Sequence, residues 1–309
     1  MILTSILIRT DIRSYVPPVG IGERMRGVAV SRVLASRNPK AKAGDLVNAT
    51  CGWTEVAVVG PQAFEVVPLP AGARPIDAVG ALGMTGLTAY FGMMRIGDPK
   101  PGETVVVSGA AGATGSIAGQ IAKIRGARVV GIAGGADKCR WLREELGYDD
   151  AVDYKAPDFR QRLRAATPDH VNVYFDNVGG EVLDAVLMRA AKGARFVMCG
   201  SISGYNDLGK GKDKDAANAP PRRGIQNLYN VVTQRIRMEG FIVFDYAAEY
   251  AAAREEIGAW IADGRLKRKE TVVKGGLQEA EKSISLLFEG KNTGKLLVEV
   301  KPYEEAARL

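Results

Sequence analysis

The sequence predicts an α/β protein in which a doubly wound parallel sheet is joined to a smaller, partly closed β-barrel. Three observations carry that expectation. The stretch Val105 to Gly126, VVVSGAAGATGSIAGQIAKIRG, reads as strand, glycine-rich turn and helix. Beyond it, strand candidates alternate with helical stretches. Before it, the chain reads as short strands separated by turns.

The early segment, residues 1 to about 75, offers Val28-Ala29-Val30, Val33-Leu34, Leu46 to Ala49, Glu55 to Val59 and Phe64 to Val67 as strands, with a turn at Lys42 to Asp45. Pro75 to Met94 turns helical, first at Ile76-Asp77-Ala78 and again from Leu87. Then the period changes. Strands are expected at Thr104–Ser108, Arg128–Ile132, Ala151–Tyr154, Val171–Asp176, Arg195–Gly200 and Gly240–Phe244. Helices are expected to begin near Gly115, Asp137, Asp158, Glu181 and Gly224. Strands rich in Val and Ile suit a parallel sheet covered on both faces. The stretch 203 to 223 has no periodicity and many Gly, Pro, Lys and Asp, and is long for a loop. A helix over Ala247 to Asp263, a strand at Glu270–Val273, a helix at Leu277–Phe288 and a strand at Lys295–Val300 finish the chain.

Composition narrows the function classes. The 309 residues are 46% hydrophobic and 25% charged, enough apolar material for two cores. No run is long enough to span a bilayer, and the start MILTSILIRTDIRSY does not read as a signal peptide. Cys51, Cys139 and Cys199 are odd in number and widely spaced, which predicts a reducing compartment, taken as the cytoplasm. The net charge of +7 comes from scattered residues without interleaved aromatics, so a nucleic-acid partner is not expected. Metal chemistry is not expected either, because His170 is the single histidine and no cysteine pair has ligand spacing. The same shortage argues against histidine-based acid–base or triad mechanisms. What remains is chemistry done by an organic cofactor.

The turn holding Gly109, Gly112 and Gly115 lets backbone approach a pyrophosphate at a helix N-terminus. An NAD site then places a carboxylate at the next strand tip, about 20 residues on, for the ribose 2′-hydroxyl. Here the tip reads Gly131-Ile-Ala-Gly-Gly-Ala-Asp-Lys138. Asp137 suits a helix cap, and Lys138 suits a 2′-phosphate or an exposed helix position; the phosphate predicts NADP. Asn177 ends the fourth strand, as a nicotinamide partner or a turn residue. Cys199 ends the fifth and reads as a small buried side chain. Tyr205 opens the long loop, either reaching a substrate oxygen or packing.

Taken together, LGMTGLTAY (82–90), AAGATGSIAGQIAK (110–123), GIAGGADKC (131–139), YFDNVGGEVLDAVL (174–187), CGSISGYN (199–206), RMEGFIV (237–243) and GKNTGKLLVEV (290–300) run in the order of a known family. The chain resembles the zinc-free branch of the medium-chain dehydrogenase/reductase superfamily, and within it the NADPH-dependent alkenal double-bond and prostaglandin reductases. The resemblance implies a Rossmann domain over 94–261 inserted in a partial GroES-like domain made of 1–93 and 262–309. It implies that Gly112, Ala113, Thr114 and Gly115 bind pyrophosphate and that Lys138 and Tyr154 flank the 2′-phosphate. It implies that Met84, Asn177, Cys199, Gly200, Ser201, Ile202, Ser203, Tyr205, Phe241, Ile242, Val243 and Asn292 surround the rest of NADP. Tyr205 matches a tyrosine of the substrate cleft and is the one catalytic candidate.

The activity implied is hydride transfer to the β-carbon of an α,β-unsaturated carbonyl, by a homodimer paired through its last Rossmann strand. A quinone reductase and a non-catalytic NADPH-binding protein are the alternatives. Two departures bear on the substrate. The family's opening strands, with an aromatic that lines the pocket, precede the point where this sequence starts, and the loop 207–222 is more charged. Restoring opening strands is expected to raise turnover of enals, because Val56, Val58 and Val66 of the barrel would otherwise be uncovered.

Overall fold

The computed structural model describes residues 2–3, 15–66, 69–207 and 224–302, and the chain forms two compact units within them. One comprises residues 1–83 and 269–309, and the other, residues 84–268, interrupts it in sequence.

The first unit is a six-stranded sheet. Its strands are β1 (Ile2–Leu3), β2 (Val28–Arg32), β3 (Leu46–Ala49), β4 (Phe64–Val66), β11 (Glu270–Val273) and β12 (Lys295–Val298). They lie in the order β11-β12-β1-β2-β3-β4. Only β11 and β12 pair in parallel. Helix α8 (Ala280–Phe288) joins those two strands, as a parallel pairing requires. The expected strand at Glu55–Val59 does not form. That segment is irregular, with Thr54 Oγ1 donating to the Val56 carbonyl, and Val56 and Val58 stand exposed. Alternating apolar residues favour a strand only when a neighbouring strand takes up their backbone groups. Strand β2 likewise ends at Arg32, before Val33-Leu34. An apolar groove of 790 Å³ runs beside this segment, lined by Val30, Leu46, Val56, Phe64, Ile76 and Val300 among others. The sequence expectations for Val67, and for most of the stretch 203 to 223, lie outside the described residues.

The second unit is the parallel sheet. Helix α1 (Met84–Phe91) runs into a π-helical turn over Gly92–Gly97. Then come β5 (Thr104–Ser108), α2 (Ala113–Ile124), β6 (Arg128–Ala133), α3 (Ala136–Glu144), β7 (Asp150–Asp153), α4 (Phe159–Ala166), β8 (Val171–Asp176), α5 (Gly180–Leu187), β9 (Ala190–Met198), α6 (Asn230–Thr233), β10 (Arg237–Gly240) and α7 (Tyr250–Ala262). All pairings are parallel, in the order β10-β9-β8-β5-β6-β7. Every residue of β5 is buried, as is nearly all of β6 and β8. The chain winds outward through β5, β6 and β7, then restarts beside β5 with β8. That reversal opens a crevice at the carboxyl ends of β5 and β8, where such sheets bind ligands.

Two elements differ from expectation. The sixth strand is Arg237–Gly240 rather than Gly240–Phe244. Phe241 and Val243 leave the ladder to join Leu87, Phe91, Tyr246 and Tyr250 in an aromatic cluster, and this burial outweighs continued pairing. The helix expected near Gly224 is only four residues, Asn230–Thr233, because the Gln226 and Asn227 amides donate instead to the Asp184 carboxylate, both at 2.8 Å.

Candidate active site

The carboxyl edge of the parallel sheet gathers the turns after β5, β6, β8 and β9. After β5, Gly109 holds φ +56, a left-handed backbone that glycine adopts without strain. A Cβ on it would meet Asn177 Cβ at 3.4 Å, so the β5 and β8 turns touch across the crevice. Gly112 begins α2 with extended backbone and no side-chain cap, leaving the first N–H groups of the helix unclaimed by any side chain. At Gly115 a Cβ would lie 2.9 Å from Ala110 Cα. These three glycines therefore bare the backbone around a helix N-terminus, which suits a pyrophosphate.

The β8 and β9 turns are built on Asp176, whose side chain is fully buried. Its Oδ1 accepts from Ser108 Oγ at 2.8 Å, Tyr174 Oη at 2.8 Å, and the amides of Val178 and Gly179 at 2.9 Å. Burial, then the neighbouring Asp176, pushes the Tyr174 phenol far up, so it stays a donor. The Asp176 carbonyl accepts from the Cys199 and Gly200 amides, both at 2.9 Å. Ser203 Oγ donates to the Val178 carbonyl at 2.6 Å, and the Ile202 amide to Asn177 at 3.2 Å. The two turns are thus one hydrogen-bonded piece. Asn177 Nδ2 donates to the Ser108 carbonyl at 2.7 Å, which commits that donor to the β5 end. Tyr205 folds back over the same turn, and its Oη accepts from the Ser201 amide at 3.3 Å.

Burial, with Asp176 second, pushes the Cys199 thiol up to about 12. That is a protonated, unreactive thiol. The lone histidine lies at the opposite edge, just before β8 begins, beside a 300 Å³ cavity with Lys192 and Gln234. It is therefore at the wrong end of the sheet to serve this site.

Lys138 lies in the first turn of α3, past the β6 tip, and Tyr154 follows β7. Burial, then the charge of Lys155, holds the Lys138 ammonium below the ordinary lysine range. A Cβ on Gly134 would meet Tyr154 Cε1 at 2.9 Å. Tyr154 thus packs on the β6 end, while Lys138 lies in α3 directly after Asp137.

Phe241 packs on Gly92, where an added Cβ would come within 2.8 Å of its ring. The Val243 carbonyl accepts from Tyr250 Oη at 2.9 Å, and Tyr250 also approaches Met84 Sδ at 3.9 Å. Ile242 is half-buried beside them. Asn292 belongs to the first unit, buried, with Nδ2 donating to the Gly294 carbonyl at 2.9 Å.

Sequence reasoning missed Asp176 as the anchor, and with it Ser108 and Lys155. An acidic residue closing an apolar strand was the available signal for Asp176. For Lys155 it was a second basic residue directly after Tyr154. Among the described residues, no three His, Cys, Asp or Glu side chains group as metal ligands, and no helix is long and apolar enough to cross a membrane.

A parallel sheet with a glycine-lined helix N-terminus at its switch point, and a lysine in the first turn of the helix after the second strand, has the layout of a Rossmann-type dinucleotide-binding protein. Residues 113–258 match the family described as zinc-binding dehydrogenase, and residues 7–67 the N-terminal domain of oxidoreductase. The NADPH-dependent curcumin reductase of Escherichia coli (strain K12) is 39% identical over 295 residues, covering 94% of this chain and 82% of that protein. The NADP(+)-dependent 2-alkenal reductase of Nicotiana tabacum is 39% identical over 294 residues, with 93% and 80% covered. The crystal structure of CurA from Vibrio vulnificus in complex with NADPH matches with a TM-score of 0.83 at 38% identity, covering 94% of this chain and 84% of that one. The chain belongs to the medium-chain dehydrogenase/reductase superfamily, in its alkenal and prostaglandin reductase branch. It is an NADPH-dependent oxidoreductase.

Proposed function

We propose that this chain reduces the carbon–carbon double bond of α,β-unsaturated aldehydes and ketones. The observation that carries the reading is the single hydrogen-bonded piece formed by the β8 and β9 turns, with Tyr205 Oη held over it beside the β5 crevice. Bound NADPH supplies a hydride to the β-carbon, and the double-bond electrons shift to the carbonyl oxygen as an enolate. Gly112 to Gly115 hold the pyrophosphate through backbone N–H groups. Lys138 and Tyr154 flank the 2′-phosphate. Asn177, the segment 199–205, Met84 and the segment 241–243 surround the nicotinamide half. Tyr205 Oη donates to the developing enolate oxygen, the position where a fixed donor is most effective. With His170 at the far edge of the sheet, the α-carbon takes its proton from water.

The protein works as a two-fold dimer in the cytoplasm. Strand β10 lies at the end of the parallel sheet and offers an edge for pairing. The three free cysteines suit a reducing compartment.

The test is product analysis with NADPH and a small enal, then with a quinone. A saturated aldehyde carrying one deuteride at the β-carbon, from cofactor deuterated at its transferable position, supports the reading. An allylic alcohol overturns it, as does hydroquinone formation without enal reduction.

A further inference from the structure

The turn after β7, which packs on the β6 tip, holds a second lysine that the sequence pattern did not single out. Gly134 lies directly beneath it: a Cβ there would meet Lys155 Cε at 3.0 Å as well as the Tyr154 ring. Lys155 Nζ stands 6.0 Å from the Tyr154 ring centroid. The segment is pinned by Asp153 at the end of β7. Its Oδ1 accepts from the Gly135 amide at 3.0 Å and from the Lys155 amide at 2.9 Å, tying the β6 and β7 turns together. The other nearby carboxylate, Asp137, turns outward to Arg140 at 3.1 Å. Burial first, and then the charge of Lys155, lowers the ionisation of the Lys138 ammonium, so Lys155 bears on the same neighbourhood as Lys138.

We propose that Lys155 is a second cation for the 2′-phosphate of NADPH, set in place by Asp153, and that Lys138 and Lys155 together make the discrimination against NADH. The charge balance favours two. A phosphate monoester carries about −1.5 to −2 near neutral pH, so one lysine leaves much of it uncompensated. Glycine at position 134 admits the Tyr154 ring and gives room to Lys155, since a Cβ there would lie 2.9 Å from Tyr154 Cε1 and 3.0 Å from Lys155 Cε.

The inference rests on the NADPH assignment, and the experiment separates the two. Calorimetry on the full chain would compare 2′,5′-ADP with 5′-AMP, and NADPH with NADH, for the unaltered chain, Lys138→Met, Lys155→Met and Lys155→Arg. Melting temperatures would check that each variant is folded. Lys155→Met should weaken 2′,5′-ADP and NADPH by about tenfold, the scale of one charge-assisted contact. Binding of 5′-AMP and NADH should change by less than about twofold, and Lys155→Arg should keep most of the preference. The loss should shrink at high salt, as the two lysines lie partly in solvent. Equal losses for 2′,5′-ADP and 5′-AMP would make Lys155 a structural loop residue and overturn the proposal. So would unchanged affinities in Lys155→Met alongside a loss in Lys138→Met. Failure of the unaltered chain to prefer 2′,5′-ADP over 5′-AMP would instead overturn the NADPH assignment.

Discussion

Cys199 follows β9, its amide bonded to the Asp176 carbonyl, in the segment proposed to border the cofactor. A thiolate is the form in which a cysteine reacts with electrophiles. Burial and the Asp176 carboxylate prevent this by keeping the thiol protonated, with its ionisation pushed up to about 12. Burial also raises Cys51 and Cys139. The folded protein at pH 8 should therefore take up iodoacetamide at Cys199 on the order of a hundredfold more slowly than an unperturbed thiol does. Peptide mapping after brief labelling, with a guanidinium-unfolded sample as reference, measures it. Labelling of Cys199 at the unfolded rate would refute the protected-thiol account.

The element that carries the glycine turn proposed for the pyrophosphate is α2, and its position depends on a close approach. Gly119 faces β6 and β7 through Tyr148, whose Oη donates to the Gly115 carbonyl at 2.9 Å. A Cβ at 119 would overlap the Tyr148 ring, which is buried and has nowhere to move. Gly119→Ala should cost about 1 to 3 kcal/mol through overpacking, despite the better helix propensity of alanine. It should also weaken NADPH, because the Tyr148 bond to Gly115 is lost with the ring position. Denaturant midpoints and cofactor titration check both effects, and an unchanged midpoint would show that α2 shifts freely.

At the scale of the molecule, two features set behaviour in solution. Lys295, on β12, is buried, and burial brings its ionisation down to about 7 from an ordinary 10.5. Between those values the folded chain binds fewer protons than the unfolded chain, so stability rises with pH across that window. Below about pH 7 the full cost is present. Lys295→Met should therefore stabilise the protein by about 1 to 3 kcal/mol at pH 6.5, with the gain fading towards pH 10. Urea melts at three pH values give the comparison, and a gain independent of pH would exclude the buried charge as its source. The second feature is the open edge at β10. Leu228, Tyr229, Val232 and Phe244 are exposed near it in sequence. A dimer is the expected mass by light scattering at micromolar concentration, and a monomer would refute pairing through this edge.

The sequence alone determined the sheet of the second unit and its cofactor class. The strand–glycine–helix stretch, the Val-rich strands and the absence of a carboxylate from the strand tip Gly131 to Ala136 are local signals, because strand burial, turn glycines and helix starts depend on neighbours within a few residues. Only tertiary structure decided where β10 stops, that Glu55–Val59 stays irregular, that Asp176 ties the β8 and β9 turns together, and that the charge of Lys155 bears on Lys138. Each of those depends on atoms distant in sequence: the aromatic cluster that draws Phe241 out of the sheet, the Ser108 hydroxyl that meets Asp176, and the Gly134 backbone that leaves room for Lys155. A hydrogen bond or an ion's environment exists only once the chain has folded, so no residue pattern contains it.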